Sequence, residues 1–490
     1  HGWLTRPTRQ DDGWIAAPSA HWKPLIMSSL SVNNVIEQSK TGKLNKARKP
    51  GYNLRLIRNR LAAIKAARKH HDNRELLFVI NEGVHGNLGG IGNADLFKRA
   101  TAEERALIRE YLSETCMALH DLADSKSPDI SKAEKIDLFR RASQCYGHTA
   151  LMLSGAGSLT PYHIGVIQAL HQNALVPKVI SGSSGGALVA AMFGTRSPTE
   201  LQEIFEGDDL YSLIGASLAD LNNDAEPNKR WSLLPRIHTE QSLKNIVESW
   251  IPDLTFGEAF ELSGIAINVS ITPASIVGSS RLLNATTSPH VFIREAVRAS
   301  CSVPGVFPPV ELAAKGYDGQ RRPYISGQKW VDGSVGLDLP SRRLGRLYGV
   351  NHFITSQTNP AVLWAVKRAG NAGPNGKRVI EWATDVFRAN LKAIQPVTSK
   401  LTGRFPWIKS VNHMFYSVAG QEYTADINIL PGKKVLGIHE VLSPITQAQA
   451  EALVNDGRKQ TQAQIELIRN CTMIRKTLDE ILVKYGQPLM

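Results

Sequence analysis

The residue types that can carry a reaction gather at two glycine-rich turns and one carboxylate. In Val179-Ile180-Ser181-Gly182-Ser183-Ser184-Gly185-Gly186-Ala187-Leu188 the pattern G-x-S-x-G follows a short apolar run and opens a stretch of small apolar residues. A serine on a tight strand-to-helix turn is crowded, so its flanks must be small, and the helix that follows aims its dipole at a developing oxyanion. Ser184 is the candidate nucleophile, with Gly182 and Gly186 as the glycines of the elbow. Upstream, Leu153-Ser154-Gly155-Ala156-Gly157-Ser158-Leu159-Thr160-Pro161 forms a second glycine-rich turn. As a dinucleotide fingerprint it fails, because Thr160 stands at the third glycine and no acid follows at about twenty residues. As an oxyanion loop it offers the amides of Gly155, Ala156 and Gly157 to a tetrahedral intermediate.

An activated serine needs a base. Asp332, in Lys329-Trp330-Val331-Asp332-Gly333-Ser334, closes an apolar run and is the carboxylate that stands out, but Asp-Gly is an ordinary turn dipeptide and on local evidence alone the turn reading prevails. Four histidines follow the elbow, His290, His352, His413 and His439, and their number leaves a Ser, Asp, His triad open without favouring any one of them. A carboxylate with the ordinary pKa of about 3.9 is a weak base, so orientation and oxyanion donors must supply most of the rate.

The elements that must position these turns show in the hydrophobic pattern. From Thr149 short apolar runs end at glycine-rich turns and lead into helical patterns, at 150–153, 179–180, 265–271 and 352–355. This alternation predicts an α/β layered domain with a mostly parallel sheet over residues 148–360. Residues 46–147 read as a helical domain. It begins with a basic amphipathic helix in which Leu54, Ile57, Leu61 and Ile64 share one face. Residues 1–45 are a polar lead-in, and residues 1–26, which precede the first methionine Met27, are set aside from function. Residues 361–490 form a C-terminal helical extension with one expected strand at 426–430. Its last helix is predicted to start at Ser443 as N-cap and to pack through Leu467, Cys471, Ile474, Leu478 and Ile481.

Composition narrows the class further. With 490 residues, 42% hydrophobic and 21% charged, the chain is neither disordered nor a disulfide scaffold. No run approaches the ~18 apolar residues of a membrane span, and the first thirty residues lack the apolar core of a secretory signal, which predicts a cytoplasmic protein. Cys116, Cys145, Cys301 and Cys471 are too dispersed for a CxxC pair, and no acidic cluster has calcium-loop spacing, so neither a metal nor a cofactor is expected.

The elbow, the upstream glycine loop, residues 299–309 (ASCSVPGVFPP) and the Asp332-Gly333 pair together resemble a patatin-like phospholipase domain. The blocks at 87–93, 330–335, 351–357 and 465–472 are similar to the triacylglycerol lipase branch of that family, found on fungal and plant lipid droplets, and the resemblance runs from about residue 50 to 485. It implies a three-layer α/β/α core and a Ser–Asp dyad with Ser184 as nucleophile, Asp332 as base and no catalytic histidine. His163, behind the oxyanion loop, is then structural. It also implies hydrolysis of long-chain acyl esters, most of all triacylglycerol, through an acyl-enzyme. Phospholipase A, lysophospholipase or transacylase chemistry is the alternative, and a catalytically silent lipid-surface-binding protein is the reading from another class. The chain departs from the family at Ala156 and Thr160, where glycines are usual; alanine resists positive φ and would misaim a donor if the loop needs that conformation.

A lipase must reach an insoluble substrate. The net charge of +13 is concentrated at 38–71 and 361–410, and the rest of the chain is net acidic. The first segment carries the basic amphipathic helix, whose alternative role is to pack on the protein's own core. In the second, Trp364, Trp382, Phe387, Phe405 and Trp407 alternate with Lys and Arg. Both are expected to meet a membrane or lipid-droplet surface. No nucleic-acid module accompanies them, so nucleic acid is not an expected partner.

Overall fold

The computed structural model describes residues 53–85, 94–206, 240–275, 279–304, 306–335, 338–359, 425–432 and 445–487, together with Ile214 and Leu363. Residues 1–52, the block at 87–93, the basic-aromatic segment 361–410 apart from Leu363, and His413 and His439 lie outside the described residues.

The sheet is built from strands β1 (His148–Leu153), β2 (Val179–Gly182), β3 (Ala266–Pro273), β4 (Arg281–Asn284) and β5 (Val310–Glu311). A separate small hairpin pairs β6 (Ala313–Lys315) with β7 (Arg321–Pro323), after which β8 (Lys329–Asp332), β9 (Val350–Ser356) and β10 (Ile427–Ile429) return to the main sheet. Its order is β10-β9-β1-β2-β3-β8-β5, with β4 also on β3. The five strands from β10 to β3 are parallel, and β4, β8 and β5 add antiparallel pairs at one side. This is the mostly parallel sheet expected from the alternating pattern.

Parallel strands must be covered on both faces, and β1 does so by strict alternation. Leu151 and Leu153 enter the larger core, while Ala150 and Met152 enter a second one with Leu344 and Val350. Leu153 pairs with both Gly182 and Ser356, so the C-terminal ends of β1, β2 and β9 are level. The glycine-rich turns leave the sheet from that edge, the place where parallel α/β sheets offer a crevice.

The helices that matter for the site are α1 (Leu54–Lys69), α2 (Ala102–Asp124), α3 (Lys132–Tyr146), α4 (Thr160–Gln172), α5 (Gly185–Gly194), α6 (Ile293–Ser300), α7 (Ser341–Tyr348), α8 (Gln447–Gln462) and α9 (Ile465–Lys484). Helices α5 and α6 cover the larger core face, and α7 covers the other through Leu344. Helices α4 and α8 touch backbone to backbone. A Cβ on Gly165 would lie 2.0 Å from the Val454 carbonyl oxygen, and one on Gly457 would lie 2.2 Å from that of Tyr162. One hydrophobic core includes Ile57 and Ile64 of α1, Leu112 and Leu119 of α2, the sheet, and Ile474 and Leu478 of α9.

Two expectations change here. The apolar face of α1 does not lie open to lipid, because Ile57, Leu61, Ile64 and Ala67 are buried in the protein core. Several of its bases are paired as well: Arg60 with Glu82, Lys65 with Glu110, and Arg68 with Glu114 and Asp121. Among the described residues of 38–71, then, the amphipathic pattern serves packing. Helix α8 has Thr446 and not Ser443 as its N-cap, in a capping box. The Thr446 hydroxyl accepts the Gln449 N–H at 3.3 Å, and the Gln449 side chain accepts the Thr446 N–H at 2.8 Å. The chain then breaks at Ala463 and Gln464 into two helices. No helix among the described residues is long and apolar enough to cross a membrane.

Candidate active site

Ser184 sits between β2 and α5 with φ +52° and ψ −124°, a conformation that a residue with a Cβ adopts only when its surroundings enforce it. Its N–H donates to Ser300 Oγ at 2.9 Å, and that hydroxyl donates to the Ser270 carbonyl at 2.8 Å. The flanking glycines are required by close approach. A Cβ on Gly182 would lie 2.3 Å from the Gly186 carbonyl oxygen, and one on Gly186 would lie 2.4 Å from that of Leu153. The turn is thus locked against the end of β1, and the Ser184 residue itself is only 9% exposed.

Asp332 ends β8, where its N–H donates to the Ser302 carbonyl at 3.0 Å. Its Oδ1 accepts the Ser334 N–H at 2.7 Å, and its carboxyl is hydrogen-bonded to the Ser184 side chain. Burial pushes the Asp332 carboxyl up to about 6, opposed by the hydrogen bonds from Ser334 and Ser184. Gly333 is not merely a turn glycine, since a Cβ there would lie 2.0 Å from the Ser270 carbonyl oxygen. The structure therefore brings together the serine and the carboxylate that the sequence singled out. Cys301 joins them, its buried thiol hydrogen-bonded to the Ser184 side chain and pushed up by burial and by the nearby Asp332 charge.

The upstream loop differs from its expected form in two respects. Ala156 has φ −129° and ψ −31°, so no left-handed conformation is asked of it; that conformation falls on Gly157, at φ +52°. The Ala156 methyl is buried against Leu159, with Leu453 of α8 packed on the pair. Second, the Gly155 amide does not point at the crevice. It donates to Asp338 Oδ1 at 2.8 Å, because a buried carboxylate requires donors. Thr160 closes the turn by donating its hydroxyl to the Gly157 carbonyl at 2.6 Å.

Asp338 is the residue that sequence reasoning missed. It is fully buried; Asn359 Nδ2 donates to its Oδ2 at 3.3 Å, and the Ser183 hydroxyl donates to its main-chain carbonyl at 3.0 Å. Burial pushes it up to about 7 against the hydrogen bonds from Gly155, Asn359 and Ser183, with the Asp332 charge adding to the rise. The available signal was a second acid just before Leu339-Pro340, in the same turn region as Asp332. In the sequence Ser300 stands out only as part of the 299–309 block, and its role as acceptor for the Ser184 N–H is not legible there.

The histidines take other places. His163 is buried on α4, its Nδ1 2.7 Å from Ser356 Oγ and its Nε2 3.0 Å from the Ser154 carbonyl, and burial pushes it down to about 4. It props the strand ends behind the loop as a neutral ring. His352 contacts Thr149 at 3.3 Å, toward the opposite end of β1 and β9 from the turns. His290 lies ahead of the N-terminus of α6, whose far end carries Ser300.

Two family profiles match the chain. The profile of patatin-like phospholipases matches residues 151–342, and that of a domain of unknown function, DUF3336, matches residues 35–144. Triacylglycerol lipase 4 of Saccharomyces cerevisiae is 31% identical over 451 residues, covering 88% of this chain and 48% of that protein. Triacylglycerol lipase SDP1L of Arabidopsis thaliana is 29% identical over 448 residues, covering 88% and 54%. The chain thus spans about half the length of these two relatives. Triacylglycerol lipase ptl3 of Schizosaccharomyces pombe is 31% identical over 437 residues, covering 86% of each chain.

Proposed function

This chain belongs to the patatin-like phospholipase family, and from that premise we propose that it is a serine hydrolase of long-chain acyl esters, triacylglycerol above all, working through Ser184 and Asp332. The observation that carries the reading is the meeting of the Ser184 side chain with the buried Asp332 carboxyl, at a turn that holds the serine at φ +52°.

In the proposed cycle Ser184 Oγ attacks the ester carbonyl carbon while Asp332 takes its proton. The carbonyl oxygen becomes an oxyanion, and the amides of Ala156 and Gly157 stabilise it. Collapse expels the alcohol, which leaves with the proton from Asp332, and an acyl-enzyme remains on Ser184. Water then attacks with Asp332 again as base, the acyl C–O bond to Ser184 breaks, Ser184 Oγ takes the proton from Asp332, and the fatty acid departs. A carboxyl raised to about 6 suits this work, because it is a stronger base than an ordinary aspartate and still ionised at neutral pH. The motive for a silent lipid-binding protein weakens, since Gly157 and not Ala156 carries the left-handed conformation.

The substrate is insoluble, so the enzyme works peripherally at a lipid-droplet or membrane surface. With the apolar face of α1 buried, the basic-aromatic segment 361–410 is the part of the sequence that suits the contact. The test is fluorophosphonate labelling of wild type and Ser184→Ala, followed by assays on triolein, phosphatidylcholine and lysophosphatidylcholine with Asp332→Asn as control. Labelling and triolein hydrolysis that vanish in Ser184→Ala, with hydrolysis also lost in Asp332→Asn, support the reading. Equal labelling of wild type and Ser184→Ala overturns it, and faster turnover of phosphatidylcholine makes the enzyme a phospholipase.

A further inference from the structure

Residues 332–338 carry two buried carboxylates, and the proposed cycle uses only one. Asp338 holds three neighbours from three different strand ends. Its Oδ1 accepts the amide of Gly155, the first residue of the loop after β1, at 2.8 Å. Its main-chain carbonyl accepts the hydroxyl of Ser183, the residue before the nucleophile, at 3.0 Å. Its Oδ2 accepts from Asn359, in the segment after β9, at 3.3 Å. Asparagine offers the same acceptor for Gly155 without the cost of burying a charge. The aspartate therefore calls for a reason tied to its charge.

We propose that Asp338 is a positioning residue: it fixes the oxyanion loop against the nucleophile turn and holds a second negative charge behind Asp332. The proposal rests on the Ser184–Asp332 reading. An ionised Asp338 makes a charge-assisted bond to Gly155, and that bond stiffens the peptide leading to the Ala156 and Gly157 amides. Its charge also favours the protonated form of Asp332, which helps proton abstraction from Ser184.

Several titratable groups stand on the surrounding elements. They are Asp332 at the end of β8, Cys301 following α6 and the neutral His163 on α4; Arg342 and Arg343 follow on α7. Of these, Asp332 is the charge that acts on Asp338. Burial pushes Asp332 up to about 6 and Asp338 up to about 7, with the Asp332 charge adding to the rise of Asp338, so both carboxyls ionise in the range below and around neutral pH.

The experiment uses the full chain, a soluble ester (p-nitrophenyl butyrate) and rates per fluorophosphonate-titrated site, across pH, for wild type, Asp338→Asn and Asp338→Ala. Wild type is expected to show a two-proton acid limb in kcat/KM. In Asp338→Asn the limb becomes a one-proton step with its midpoint lower by about half a pH unit or more, and KM stays within about twofold. In Asp338→Ala kcat per site falls about tenfold or more, because the Gly155 amide loses its acceptor. A limb in Asp338→Asn that superimposes on wild type overturns the proposal, since a purely structural role changes stability but not the pH midpoint per titrated site. If Asp338→Ala does not fold, Asp338→Asn decides alone. A wild type that is no more labelled than Ser184→Ala removes the dyad and this inference together; a labelled wild type with an unshifted Asp338→Asn removes only this inference.

Discussion

Leu153 and Gly182 are register partners, so the turns after β1 and β2 leave the sheet side by side, yet different forces hold them. At 182–186 the main chain packs against itself and against the end of β1, with two glycines whose added Cβ would meet backbone. The strained residue there is the serine, at φ +52°. At 155–160 the left-handed residue is a glycine, Gly157, and side chains from distant sequence supply the support: Asp338 on the Gly155 amide and Leu453 on the Ala156–Leu159 pair. Thr160 adds a local tie to the Gly157 carbonyl. The elbow is thus held mainly by close main-chain packing, with Ser300 and Asp338 as distant hydrogen-bond partners, and the oxyanion loop mainly by side chains from distant sequence. Each is also backed by one buried carboxylate from the same segment, Asp332 for the elbow and Asp338 for the loop.

The comparison breaks most severely at Gly186. Its Cβ would lie 2.4 Å and 2.6 Å from two consecutive carbonyl oxygens of the β1 end, and backbone cannot move aside as a flexible side chain can. Gly186→Ala should cost about 3 kcal/mol or more and leave little folded protein, read as soluble yield and melting temperature. A variant that melts with wild type and labels fully would show that the elbow is looser than its geometry implies.

Next comes Asp332→Asn, with turnover expected to fall about 10²–10⁴-fold through loss of the base. Its stability should move the other way. The folded carboxyl is raised to about 6, so its contribution to stability is full below the ordinary carboxylate pKa and is lost as pH rises through about 6. At pH 8 the ionised, buried group therefore costs roughly 2–3 kcal/mol, and Asn should raise the melting temperature there but not at pH 4. A melting temperature that falls at pH 8 would show Asp332 to be a structural anchor.

That contrast also explains what the sequence disclosed. The elbow is readable from G-x-S-x-G because a crowded strand-to-helix turn demands small residues at fixed spacing, whereas Asp332-Gly333 reads locally as a turn and Asp332 stands out as a base only through the family resemblance. The mostly parallel sheet followed from runs such as 150–153, which are apolar on both faces. Asp338 was not readable, because a buried acid in sequence looks like an exposed one until its donors, Gly155 and Asn359, are brought to it across the fold. For the same reason the pattern of α1 could not tell a lipid-facing stripe from one packed on α2; both demand the same apolar spacing. Ser443 fits an N-cap by type, but it is at Thr446 that Gln449 completes a capping box.

A gentler test of the loop is Thr160→Gly, which restores a glycine usual in the family. The Thr160 hydroxyl closes the turn on the Gly157 carbonyl at 2.6 Å, a bond worth about 1 kcal/mol. If tertiary side chains hold this loop, the restored glycine should lower kcat per titrated site by about two- to fivefold with KM nearly unchanged. A rise in kcat would mean that the hydroxyl restrains a motion that catalysis needs.

The smallest effect on turnover is expected at Ala156→Gly, although sequence alone makes it look the most promising repair. Glycine would help only if this residue had to adopt positive φ, and at −129° it does not; the neighbouring Gly157 does. The substitution instead removes a methyl buried with Leu159 and Leu453 and gives the unfolded chain more freedom. Stability should fall by about 1 kcal/mol, while kcat per titrated site stays within about twofold of wild type. A clear gain in kcat would put the functional strain at Ala156, and the oxyanion loop would then reach its working form only when substrate is bound.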